Sequence, residues 1–272
     1  MAEKGHIRCS TGFRQTGTRQ GQHRHNCRGY TLIELVLVLV IVGVLASVGL
    51  KSLSAVNQTT RIEETRQEME RIACAIVGNP SLVSGGSRTD FGYVGDIGSL
   101  PPNLDALATN PGGYTTWDGP YLVDDFTSGG ANTKFKYDAW GAAYAYSAGV
   151  GVTSTGGGLT MTKQLAGSVS DLLRNQVKVV VTDLDHTPPG PVYSDSIRFV
   201  LRVPNGSGSY TNKSRTPRDD GFASFDSIPI GIHELRLIYL PTADTLLRRV
   251  IVCPNGDSYL EMSLAENTWS GS

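Results

Sequence analysis

An excess of charge of one sign is the first thing this sequence lacks. Its 24 lysines and arginines stand against 25 aspartates and glutamates, a net charge of -1 over 272 residues. Nothing in that balance argues for a nucleic-acid partner. Cysteine is scarce. Cys9, Cys27, Cys74 and Cys253 are the only four, and none lies in C-x-x-C spacing, so neither a zinc site nor a thioredoxin-type motif is suggested. No G-x-S-x-G elbow is present and no Ser/His/Asp arrangement is readable, His233 falling on a predicted strand. The Gly156-Gly157-Gly158 run lacks the lysine and the strand-to-helix setting of a phosphate-binding loop. The chain is therefore not expected to be an enzyme.

What is present divides into sections. Residues 1–29 are polar and basic, with Lys4, Arg8, Arg14, Arg19, Arg24 and Arg28 against the lone Glu3, and show no apolar periodicity. Such a segment forms no core and reads as disordered. From Tyr30 to Leu50 the residues are almost all apolar, about the length of a bilayer-spanning helix. Cations beside a span stay cytoplasmic, which places the rest of the chain outside the inner membrane as a single-pass protein. A secretory signal peptide is a rival, since Ala46, Ser47 and Gly49 offer a small-residue cleavage site after the apolar core. Beyond Lys51, Val56, Ile62, Met69, Ile72, Ala73 and Ile76 recur at helical spacing, with Arg61, Glu63, Glu64, Arg66, Glu68, Glu70 and Arg71 on the other faces. One helix over 30–77 is predicted, stopping at Gly78-Asn79-Pro80. Residues 78–165 are loop-rich, with a short helix expected over 102–109 and a hairpin over 134–149. From about Leu172, apolar alternation in Val177–Thr182, Ser196–Val203, Phe222–Ile228, His233–Tyr239, Leu246–Val252 and Ser258–Leu264, broken by turn residues, predicts an antiparallel β-sandwich over 172–272. The fold class is α+β.

At Gly29-Tyr30-Thr31-Leu32-Ile33-Glu34-Leu35 the chain resembles the cleavage and methylation motif of type IV prepilins and type II secretion pseudopilins. A basic leader, a glycine, an aromatic ring where the family usually has Phe, and a glutamate fifth in the mature chain stand in register before the apolar run. The resemblance implies that a prepilin peptidase cuts after Gly29 and methylates the new amine of Tyr30. It also implies assembly with other pilin or pseudopilin subunits, as a homo- or hetero-filament, on an inner-membrane platform. Leu100-Pro101, Leu104, Leu107, Trp117-Asp118-Gly119-Pro120-Tyr121-Leu122 and Asp138-Ala139-Trp140-Gly141 through Tyr144 and Tyr146 are similar in order to the major pseudopilin of type II secretion. That likeness implies a long pilin helix packed on a small antiparallel sheet. Asp219 to Tyr239 and the strand Leu246 to Val252 resemble a transthyretin-like, carboxypeptidase-regulatory-like module, a structural or adhesive addition.

Glu34 is the leading functional residue, since an ionisable group in a span usually has a partner and a task. Its partner is expected to be the methylated ammonium of Tyr30 on a neighbouring subunit. Snorkelling to the interface at the positive end of the helix dipole is the alternative. No cofactor is expected. The calcium loop of such pseudopilins is not carried over, because no carboxylate occurs from Ser147 to Met161. Asp124 and Asp125, with Asp118 or Asp138, are the calcium candidates, set against plain turn aspartates. His23, His25 and Cys27 fall in the leader, and Asp183, Asp185 and His186 at a turn. Cys74 and Cys253 remain after cleavage, either as a disulfide in an oxidising compartment or as two small buried thiols. The other functional class left open is a single-span surface binding protein whose sandwich is the working part.

Overall fold

The computed structural model describes residues 30–122 and 134–269, and over 48–54 the backbone alone. Two compact units divide between Leu53 and Ser54.

Helix α1 runs Leu32–Val77. It starts where Thr31 accepts the N–H of Glu34 on its Oγ1 at 3.3 Å. This Thr-x-x-Glu spacing satisfies one orphan first-turn donor and sets a carboxylate at the positive end of the helix dipole. It ends at Gly78, whose φ is 81° and whose N–H reaches the Cys74 carbonyl at 2.7 Å. A Cβ at Gly78 would lie 2.3 Å from the Asp90 carbonyl oxygen, so glycine alone fits this left-handed cap. Every described residue from Tyr30 to Ser47 is exposed. Further along, Thr65, Met69, Ile72, Ala73 and Ile76 are buried at helical spacing. Among the described residues no helix is long and apolar enough to cross a membrane. The side chains described in the apolar part of α1 stop at Ser47, whereas the apolar sequence continues to Leu50.

The buried stripe of α1 belongs to one hydrophobic cluster. After the two-residue strands β1 (Val83–Ser84) and β2 (Ser87–Arg88), helix α2 (Gly92–Ile97) supplies Tyr93, Val94 and Ile97 to it. A 3-10 turn, Leu104–Leu107, supplies Leu104 and Leu107, its first N–H groups capped by Asn103 Oδ1, which accepts from Ala106 at 3.2 Å. This turn stands where a helix over 102–109 was predicted; Pro101 and Pro102 before it and Asn110-Pro111 after it leave room for no more. Strands β3 (Gly151–Ser154) and β4 (Met161–Gln164) form an antiparallel pair, extended by the bridge Ala145–Thr153. The predicted hairpin over 134–149 reduces to one bridge, Tyr137–Ala143, around a tight turn. Each fully buried aliphatic side chain of such a cluster contributes about 1.5–3 kcal/mol.

Helix α3 (Val169–Leu173), capped by a reciprocal Ser168–Asp171 box, leads into the sandwich. Its strands are β5 (Asn175–Thr182), β6 (Ile197–Pro204), β7 (Tyr210–Arg215), β8 (Phe222–Ile228), β9 (Gly231–Tyr239), β10 (Asp244–Val252) and β11 (Asp257–Ser263), with a one-turn helix α4 (Gly190–Tyr193) between β5 and β6. One sheet has the order β10-β9-β6-β7, the other β11-β5-β8. Alternate residues (Val177, Val179, Val181; Ile197, Phe199, Leu201; Leu235, Leu237) close a second core between them. Leu172 and Ile230, from the segment expected to belong wholly to the sandwich, are buried in the first cluster instead.

Two sequence expectations are corrected here. The sandwich is not wholly antiparallel, since β11 lies parallel to β5 from Asp257–Gln176 to Ser263–Thr182. The loop 253–256 crosses from one sheet to the other and is pinned at the α3–β5 junction. Asn255 N–H donates to the Asp171 carbonyl at 3.2 Å and Gly256 N–H to Asn175 Oδ1 at 3.4 Å. β11 therefore starts where β5 starts and runs with it. Strand β7 was not foreseen, because Tyr-Thr-Asn-Lys-Ser-Arg on an edge has no buried face and hence no alternation.

Candidate functional site

Among the described residues the N-terminal motif begins at Tyr30; Gly29 lies outside them. Tyr30 is 80% exposed and Glu34 is exposed in the first turn of α1. From Leu32 to Leu45 the apolar side chains are exposed on all sides of the helix. A helix apolar all round belongs in a core or in lipid. Such a surface needs a cover that the unit itself does not give among its described residues. Among the described residues Glu34, one turn inside the end of that surface, forms no ion pair.

The order of motifs between Leu100 and Tyr146 is spent on packing. Trp117 Nε1–H donates to the Ala106 carbonyl at 3.0 Å, and the Trp117 and Tyr121 rings meet edge to face at 5.7 Å. Tyr121 O–H donates to Asp96 Oδ2 at 2.8 Å. Burial, opposed in part by that hydrogen bond, pushes the Asp96 carboxyl up to about 6. Tyr144 O–H donates to Glu68 of α1 at 2.7 Å, and Tyr146 O–H to the Pro101 carbonyl at 3.1 Å. Burial also raises the Glu68 carboxyl. Arg88 caps the end of α1: its Nη2 donates to the Val77 and Gly78 carbonyls at 2.5 and 3.0 Å. Sequence reasoning missed the Asp96–Tyr121 and Glu68–Tyr144 pairs, whose members lie 25 and 76 residues apart with no local signal linking them.

Among the described residues the metal candidates gather into no site, and the two thiols are not bonded to each other. Asp138 is buried, and its carboxylate accepts from the N–H groups of Trp140, Ala142 and Gly156 and from Ser154 O–H, at 2.9, 2.9, 3.1 and 2.6 Å. Burial raises its pKa, but these hydrogen bonds outweigh it and hold the group below the usual carboxylate range. It clasps the turn before Tyr144 and has no lone pairs to spare for a cation, which removes it from the calcium set. Asp118 is exposed, and Asp124 and Asp125 lie outside the described residues, as do His23, His25 and Cys27. Asp183 is fully buried; its Oδ1 accepts from Thr187 N–H and Oγ1–H at 3.0 and 2.8 Å, while Asp185 and His186 point to solvent. Among the described residues no three metal-capable side chains gather. His233 is a satisfied core histidine: its Nε2 meets the Pro229 carbonyl at 2.8 Å, and burial lowers its pKa. Cys74, half-buried on α1, and Cys253, exposed after β10, stand as free thiols.

Residues 24–50 match the family model of the prokaryotic N-terminal methylation motif. The matched stretch spans the junction of the basic and apolar segments, so the N-terminal region carries a prepilin-type processing motif. No curated protein matches the chain. Among solved structures, the chain is similar to the dioxygenase domain of a dioxygenase–carbohydrate-binding protein fusion from the cellulolytic bacterium Streptomyces sp. SirexAA-E. The identity is 9% over 35% of this chain and 80% of that one, with a TM-score of 0.26. It is also similar to the Bacillus anthracis TIE protein, at 14% identity over 46% of this chain and 24% of that one, with a TM-score of 0.27. Likenesses this loose carry neither fold nor function across.

Proposed function

We propose that this chain is a pilin-like structural subunit of a type II secretion pseudopilus or a type IV pilus. The observation that carries the reading is a coincidence of place. The methylation motif ends in a helix whose apolar surface, Leu32 to Leu45, is bare on every side. A prepilin peptidase cuts between Gly29 and Tyr30 and methylates the Tyr30 amine. The chain then waits in the inner membrane, its C-terminal part outside the cytoplasm, until an assembly platform draws it into a filament with other pilin subunits.

Physical chemistry supports the transfer. In lipid the side chains of α1 lie in hydrocarbon, and in a filament the same side chains of neighbouring copies replace it, so apolar burial is kept. What selects the filament is the pairing of Glu34 with the ammonium of Tyr30 on another copy. A lone charge in an apolar medium is costly, and a close partner offsets much of that cost. The Thr31–Glu34 start of α1 supports this, because it sets the carboxylate one turn from the new N-terminus, in a stretch with no lysine or arginine from Tyr30 to Leu50.

Gly29→Ala in cells that carry the peptidase tests the reading. The mature chain should start at an N-methylated Tyr30 by intact mass, and the variant should keep its leader and fail to enter filaments. A variant that stays unprocessed yet retains full function points instead to an anchored binding protein whose sandwich does the work.

A further inference from the structure

The sheet β10-β9-β6-β7 packs one face into the second core and turns the other away from it. Strand register fixes what that outer face carries. Three rows cross it: Thr245–Ile238–Arg198, Leu247–Arg236–Val200–Ser214 and Arg249–Glu234–Arg202–Asn212. Four guanidinium groups thus share the face with one carboxylate. Arg236 is central, with Arg198, Arg202 and Arg249 all at its diagonals, about 7–8 Å away. Glu234 accepts from Arg236 Nε at 2.7 Å, and Arg202 lies over the Tyr210 ring at 4.1 Å. Arg198 and Arg249 are exposed and form no ion pair among the described residues. Between the cations lie Leu247, 51% exposed, and the half-buried Val200 and Ile238.

The outer face of β11-β5-β8 has the opposite sign. It presents Asp257, Tyr259 and Glu261 of β11 beside Gln176, Lys178 and Val180 of β5, and then Asp226, Ser224 and Phe222 of β8. Its three carboxylates each have a neighbour: Asp257 pairs with Lys178, Glu261 lies 3.8 Å from His186 Nδ1, and Asp226 accepts from Gln176 Nε2 at 2.7 Å, and the face keeps an excess of negative charge. Tyr259 is 63% exposed at the centre of the acidic edge.

We propose that the arginine face of one copy docks on the Asp226–Asp257–Glu261 face of the next. Leu247 would meet the Tyr259 side, with the arginines around it on the carboxylates. The occupant is a second copy of this chain because the complement is already built into it, in charge and in apolar centre. An anionic polymer would answer the charge alone. Since the two faces differ, the contact is heterologous: each copy offers one kind of face to the copy before it and the other to the copy after, which is how open filaments grow. The contact rests on the filament reading above and extends it to the subunit surface. Exposed ion pairs give register and specificity more than affinity, so the docking weakens as salt rises.

Photo-cross-linking of the full-length protein in cells tests this. A benzoylphenylalanine replaces Leu247 in one chain and, as a separate reporter of helix assembly, Leu37 in another. The Leu247 probe should join two copies, with the product mapping to 257–261. Arg198→Glu with Arg249→Glu should lower that yield at least about tenfold, since like charges then face each other. Adding Asp226→Arg and Glu261→Arg to the same chain should restore it. The contact is overturned if the Leu37 link forms while the Leu247 probe captures lipid, nucleic acid, another protein or its own face. A yield that ignores the charge reversal, or a loss of both links that the charge swap does not restore, overturns it too. Absence of the Leu37 link from the parent chain removes the filament reading itself, and this contact with it.

Discussion

Glu34 stands one turn into α1, where Thr31 accepts its backbone N–H and the side chain is exposed. A first-turn acid is compatible with an ordinary helix start, which is why Glu34→Ala should cost the isolated helix little. It should instead cost assembly. Membrane insertion is expected to persist and cross-linking between copies through α1 to fall; insertion and cross-linking both at parent levels would sink the pairing. Asp96 offers a second residue-scale expectation. Its folded pKa is raised from an ordinary 3.8 to about 6, chiefly by burial. A carboxyl raised in this way holds its proton in the folded state after the unfolded chain has lost it. Its contribution is therefore present below about pH 4 and lost as pH rises through about 6. Asp96→Asn keeps an acceptor for Tyr121 O–H and removes the charge. It should make the protein more stable at pH 7 and flatten the fall between pH 4 and 6, as read by urea unfolding across that range. A pH profile identical to that of the parent would refute the assignment.

At the scale of elements, α1 is two helices in physical terms. One end is held by nothing among its described neighbours, the other by a stripe of core residues and a cap. The cap predicts a sharp sensitivity. Gly78→Ala forces a Cβ against the Asp90 carbonyl in a left-handed conformation. It should destabilise the unit by about 2 kcal/mol or more, seen as a lower urea midpoint at unchanged slope. Most of this was legible in the sequence. The apolar run, the Met69–Ile72–Ile76 stripe, Gly78-Asn79-Pro80 and the alternation of Ile197, Phe199 and Leu201 each express a local rule. The unread parts are those without one. Helix α2 holds two glycines in Gly-Tyr-Val-Gly-Asp-Ile and has no side-chain cap, so it exists because Tyr93, Val94 and Ile97 are buried in the first cluster. Strand β7 buries nothing, and the direction of β11 is set by hydrogen bonds 81 residues apart in sequence. The candidate site divides in the same way. Tyr30 and Glu34 are marked by their position in a sequence motif, whereas the four donors that hold Asp138 come from Trp140, Ala142, Ser154 and Gly156 and have no sequence signal.

At the scale of the whole molecule, the globular part holds two cores, one built around the second half of α1 and one between the sheets, and Leu172 and Ile230 cross from the sandwich segment into the first. The parallel seam between β5 and β11 sets an order of events for such a molecule. Strand β5 is the middle of its sheet, yet one of its two neighbours comes from the far end of the chain. In chain order β5 comes early and β11 last. Until the last strand arrives, the unpaired backbone of β5 is an open template for any passing strand. Pairing within this sheet is thus completed only by the last strand, and a chain shortened before Asp257 should be prone to aggregation rather than merely smaller.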